Sequence, residues 1–108
     1  MTCEFQTLYA GPDGYIVRCN LCGHYQVAYI STLINLNEND FHLFYKKVKA
    51  QNRIDYSAVS QDSKIIMLAT PSPNINFILT PSELITLHDI LEKADTEIKT
   101  HALLGLFR

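Results

Sequence analysis

The sequence predicts an α+β fold: an antiparallel sheet with two helices packed on it and a β-hairpin at the N-terminus. Three observations predict this. Two runs rich in aromatic and β-branched residues flank "AGPDG". Two later segments carry cap residues followed by apolar residues at helical spacing. Two short apolar runs, "KIIMLAT" and "INFILT", are joined by "PSPN".

The first hairpin pairs "CEFQTLY" with "YIVRC". Pro12 presets the turn, Asp13 bonds its own backbone and Gly14 accepts unusual φ. "YQVAYI" (25–30), a bend near Ser31 and "LINL" (33–36) form a second strand pair, with Tyr25, Val27 and Tyr29 on one face. Asn37 caps a helix over 38–51, with Glu38 and Asp40 in its first turn, where acids suit the helix dipole. Phe41, Phe44, Tyr45 and Val48 line its apolar face. From Asn52 to Ser63 the chain is polar and patternless, so it reads as loop.

"KIIMLAT" (64–70) is nearly continuous in apolar character, which predicts a strand buried on both sides. "INFILT" (75–80) returns the chain. Thr80, Pro81 and Glu83 make a capping box with proline at the first helical position. Leu84, Leu87, His88, Leu91, Ala94 and Ile98 then form an apolar stripe, and Asp89 with Lys93 and Asp95 with Lys99 are i,i+4 pairs. At an offset of 43 residues, Ile34, Leu36, Phe41, Phe44 and Val48 align with Phe77, Leu79, Leu84, Leu87 and Leu91. This reads as a strand–strand–helix repeat, or as the resemblance any two capped amphipathic helices share.

The 108 residues fit one domain (1–108), with the hairpin and a cysteine loop over 1–30, a strand and helix over 31–51, and a strand pair, helix and apolar tail over 64–108. Apolar residues make up 47% and charged residues only 19%. Little charge is left to solvate the surface, so a protein partner or a homodimer is expected to cover part of it. The tail "ALLGLFR" is expected to dock on its own sheet or on a second subunit. A net charge of −2 argues against broad nucleic-acid binding. No run reaches the length of a membrane span, and the start lacks the pattern of a signal peptide, so a cytoplasmic setting with reduced thiols is expected.

The chemistry concentrates in "CNLCGH", residues 19–24. Zinc takes four tetrahedral ligands and favours thiolate and imidazole. Cys19 and Cys22 have the C-x2-C spacing that puts two sulfurs on one ion, and Gly23 lets the loop turn sharply. If Pro12 and Asp13 centre the first turn, paired residues sum to about 25 or 26. Cys3 then falls opposite residue 22 or 23, which brings a third thiol to the loop. His24 is the fourth ligand by spacing, with His42, His88 or His101 as remote alternatives. One structural zinc held by Cys3, Cys19, Cys22 and His24 is therefore the expected cofactor. A redox dithiol is disfavoured because this C-x2-C opens no helix, and buried metal-free cysteines are the plain alternative.

Strand, "CNLCGH", strand resembles the knuckle half of a zinc ribbon. The chain also resembles a family of small uncharacterised bacterial proteins that share an early cysteine, C-x-x-C-G-H, and a later L-x-x-x-D/E-F helix start, here Leu36 to Phe41. The resemblance covers roughly the first half of the chain, and it carries no activity and nothing about a substrate. The second ribbon knuckle is missing, and Cys3 takes part of its place.

Lys46, Lys49 and Arg53 form a basic helix stripe, either an interaction surface for phosphates or an acidic partner, or a solvated helix back. No nucleophile elbow, phosphate loop or carboxylate pair occurs. The expected function is a non-enzymatic, zinc-stabilised module that binds a protein partner or itself. A thiol- or zinc-dependent enzyme and a ribbon-like nucleic-acid binder are the alternatives.

Overall fold

The structure is a computed structural model that describes residues 3–105. The elements run β1 (Phe5–Gly11), β2 (Gly14–Cys19), β3 (Tyr25–Tyr29), β4 (Thr32–Leu36), α1 (Glu38–Asn52), β5 (Ile66–Ala69), β6 (Asn76–Leu79) and α2 (Pro81–Leu103). The fold is α+β, as the sequence predicts. The strands form two antiparallel sheets rather than one: a meander β1-β2-β3-β4 and a separate hairpin β5-β6.

Local chemistry sets the turns. Gly11 faces Gly14 across Pro12 and Asp13, the tight turn that Pro-Asp-Gly favours. The ladder runs true to Tyr9 opposite Ile16, then slips at Leu8, so that Thr7 meets Val17 and Phe5 meets Cys19. A bulge of this kind bends and twists its strand. Gly14 is required: a Cβ there would lie 1.9 Å from the Ala28 carbonyl oxygen of the neighbouring strand. The β3–β4 turn holds Ile30 at φ 56°, a conformation that a β-branched side chain seldom adopts.

One face of the meander is apolar. Leu8, Ile16, Tyr25, Val27, Tyr29, Ile34 and Leu36 meet Phe41, Phe44 and Val48 of α1 and Leu84, Leu87, Leu91 and Ala94 of α2. Tyr25 stacks on Phe41 with centroids 4.4 Å apart. Phe77 of β6 joins the two sheets to this core, 6.4 Å from the Tyr29 ring and 6.2 Å from the Phe44 ring. α2 runs across β1, β2, β6 and α1.

Both caps form as expected. The Asn37 side chain accepts from the Asp40 N–H at 2.7 Å, and Thr80 and Glu83 complete a reciprocal capping box. The two caps are 43 positions apart, and all ten residues aligned at that offset are buried. β3-β4-α1 and β5-β6-α2 therefore share order and core pattern.

Two expectations need correction. β5 is buried on one face only: Ile66 and Leu68 point inward while Met67 is exposed. The hairpin lies outside the meander, and among the described residues its second face is open, with Met67 and Ile78 exposed. The first part of the tail, Ala102 and Leu103, continues α2. Leu103 and Leu104 are 87% and 65% exposed, so they do not dock on the sheets. Residues 106–108 of the tail lie outside the described residues. Among the described residues, no helix is long and apolar enough to cross a membrane.

Candidate metal centre

The loop between β2 and β3 is closed by its own backbone. The Gly23 N–H donates to the Cys19 carbonyl at 2.8 Å, and the Cys19 N–H donates to the His24 carbonyl at 2.8 Å. Gly23 sits at φ 75°, where glycine is favoured. The Asn20 N–H donates to the Glu4 carbonyl at 2.8 Å, so β1 is tied to the loop just beyond the last ladder pair. That bond fixes the residue before Glu4, and the Cys3 thiol arrives at the loop.

The ligand sulfurs of Cys3, Cys19 and Cys22 all lie within 4.8 Å of one another. Cys3 Sγ and Cys22 Sγ are 3.8 Å apart. Cys19 is buried, Cys22 half-buried and Cys3 exposed, and none is in a disulfide. The cluster thus sits at the surface, with one buried cysteine and two that reach solvent.

Electrostatics differ sharply within the trio. Burial pushes the Cys19 thiol up, but the backbone N–H of Cys22, the Cys3 thiol and the N–H groups of Glu4 and Leu21 outweigh it and lower the thiol to about 6. Hydrogen bonding to Cys19 and Cys22, with burial and thiolate repulsion, raises Cys3 to about 11. The loop has built a thiolate position at Cys19 by aiming backbone dipoles at its sulfur.

His24 is exposed and its ring lies outside the thiol cluster; the residue contributes its backbone carbonyl to the loop. The other histidines sit on helices. His42 is exposed beside Phe41, His88 lies between Tyr45 and Glu92, and His101 is 3.2 Å from Glu97. Lys46, Lys49 and Arg53 are exposed on α1 and at its C-cap. Lys49 Nζ lies 4.5 Å from the Tyr45 ring centroid, so part of that stripe packs on an aromatic face.

Sequence reasoning missed Arg18. Its side chain is buried, donates to Asn20 Oδ1 at 3.3 Å, and lies 5.9 Å from the Tyr25 ring centroid. Asn20 in turn donates to Gln6 Oε1 at 3.3 Å. This polar chain braces the loop from beneath and ties it to the core through the Tyr25–Phe41 stack. Strand alternation carried the signal, since Arg18 shares a face with Ile16.

The fold and the cluster define a small α+β protein with a surface site of three cysteines that could bind a metal. The chain belongs to a family of unknown function (DUF6686), whose model matches residues 1–105. No curated protein matches the chain, and no solved structure does.

Proposed function

We propose that Cys3, Cys19 and Cys22 hold one zinc ion that has a structural role, in a non-enzymatic module of a reducing, cytoplasmic setting. The observation that carries this reading is the convergence of Cys3 on the loop thiols from 16 and 19 positions away. Four sulfurs at about 2.3 Å around a tetrahedral ion stand about 3.8 Å apart. The Cys3–Cys22 separation of 3.8 Å fits that edge. The N–H groups directed at Cys19 supply the thiolate that coordination needs. The fourth ligand is assigned to His24, two residues past Cys22 and able to rotate from solvent; a water is the other candidate.

Thiol chemistry is less well supported. A nucleophilic cysteine has to be both acidic and reachable. Here the acidic thiol, Cys19, is buried, while the exposed one, Cys3, is held up near 11. The two requirements fall on different residues, which suits a cage better than a catalyst. For nucleic acid, the exposed Lys46 and Arg53 give a short stripe on a chain of net charge −2, too little for strong phosphate binding.

Elemental analysis of protein purified under reducing conditions tests the proposal. The expected result is about one zinc per chain, with chelation lowering the thermal midpoint. Less than about half an equivalent, together with a midpoint that chelators leave unchanged, would overturn it.

A further inference from the structure

The β5-β6 hairpin has a second face that the core does not use. Ile66, Leu68, Phe77 and Leu79 point inward, so strand alternation turns Ile65, Met67, Ala69, Asn76 and Ile78 outward. None of these five is charged. Met67 and Ile78 face each other across the ladder, and no charged side chain projects from that face of the two strands.

The surface has both a knob and a hole. Met67 is the knob, 66% exposed. The hole is a groove of about 260 Å³ between α1 and the end of β5, lined by Leu43, Phe44, Ala69 and Pro71, with Asp40 and Lys47 among its other residues. Ala69 belongs to both the hairpin face and the groove wall. Knob and hole therefore lie two residues apart along one strand, about 7 Å.

We propose that this face is the contact between two copies of the chain. A two-fold axis passing between Met67 and Ala69 places each copy's Met67 in the other's groove, the reciprocal pattern an isologous interface requires. An unbranched thioether suits an irregular hole of this kind. The hairpin face itself is uncharged, and the groove beside it carries one charge of each sign, Asp40 and Lys47, so the surface favours no partner of strong net charge.

The area agrees. Leu43, Ile65, Met67 and Ile78 are 54%, 51%, 66% and 50% exposed, on the order of 400 Å² of apolar side chain, within the range at which a patch on a monomer is commonly functional. A homodimer contact of about 800 Å² per partner, about 65% apolar, needs roughly 500 Å² of such surface. Asp40, Lys47 and Asn76 provide polar rim for the remainder.

Sedimentation equilibrium under reducing conditions is the test. The native chain is expected at twice its monomer mass. Met67→Glu, which removes the knob, and Ala69→Phe, which fills the hole, should each weaken association at least about tenfold. Both should match the thermal midpoint of the native chain at dilutions where it is monomeric, because neither side chain is in the core. Tyr15→Glu, on the outer face of the meander, should leave the mass unchanged. A native chain that stays monomeric to about 200 µM would overturn the assignment and leave the face to a different protein. A dimer that Tyr15→Glu dissociates and Met67→Glu does not would overturn it as well.

Discussion

Cys3 Sγ lies 3.8 Å from Cys22 Sγ, although 19 positions separate the two residues in the chain. Three local devices produce that contact: the turn at Pro12 and Asp13, the slip at Leu8, and the Asn20–Glu4 backbone bond. Only the last acts at the cluster itself. Replacing Cys3 by serine keeps all three and removes one thiolate. Zinc affinity of Cys3→Ser is expected to fall by more than about 100-fold, beyond the usual cost of losing a supporting contact. A chelator competition assay reads this, and an unchanged affinity would mean that the loop binds metal without its third sulfur.

His24 gives a graded version of the same test. Its ring stands outside the thiol cluster, so it reaches an ion only by turning inward. With His24→Ala the expected stoichiometry stays the same while affinity drops by about 10- to 100-fold. Cobalt substitution adds a spectroscopic readout, because exchanging a nitrogen ligand for water shifts the absorption of a tetrahedral site. Identical spectra and affinity for the variant and the native chain would assign the fourth position to water.

The two helix caps occupy equivalent places but differ in quality. Thr80 is buried and its box is reciprocal: Glu83 Oε1 also accepts the Thr80 N–H at 2.8 Å and the Lys64 ammonium at 2.6 Å. Asn37 is exposed and makes a single 2.7 Å bond. Thr80→Ala is expected to cost about 1–2 kcal/mol and Asn37→Ala about 0.5–1 kcal/mol, the upper and lower parts of the range for cap loss. Urea denaturation of both variants checks the order. Equal losses would show that burial and reciprocity add nothing at residue 80.

Much of this architecture was legible because local chemistry dictated it. Asn37, Thr80 and Pro81 announce helix starts through bonding needs of the first turn, which are met within a few residues. The first turn was legible for the same reason, and so was the approach of Cys3 to the loop. The slip at Leu8 was not, since a bulge answers to twist and packing rather than to residue type. β5 reads as covered on both faces because Ile65, Ile66, Met67 and Leu68 are all apolar, and composition alone does not tell two covered faces from one. Only the tertiary arrangement shows that Met67 is exposed. Arg18 reads as one basic residue in an apolar strand, although alternation places it inward.

Two glycines separate steric from conformational demand. At Gly14 a Cβ would meet the Ala28 carbonyl oxygen at 1.9 Å, a backbone atom that moves only if β2 and β3 part. Gly14→Ala is expected to cost more than about 3 kcal/mol, in the class of severe overpacking. At Gly23 the nearest atom to a Cβ is Arg18 Nη2 at 3.7 Å, an ordinary contact, and the cost comes from φ 75° alone. Gly23→Ala is expected to lose about 1–2 kcal/mol. Thermal unfolding distinguishes the two; a milder effect at Gly14 than at Gly23 would contradict the close approach of the strands.

Tyr29 joins the meander to α2 by donating its hydroxyl to the Glu83 carbonyl at 2.7 Å. Burial, then the charges of Glu83 and Asp13, push its phenol up from 10.0 to about 12. The neutral phenol is thus the form the fold favours. With the folded value above the unfolded one, this contribution is complete below about pH 10 and is lost as pH rises from there toward 12. Tyr29→Phe keeps the ring against Phe77 and removes only the hydroxyl. The variant is expected to be about 1 kcal/mol less stable near neutrality. It should also lose less stability than the native chain between about pH 10 and 12, so the two curves converge at the alkaline end. Chemical denaturation across that range decides the matter: parallel curves would mean that Tyr29 ionises as freely in the fold as in the unfolded chain.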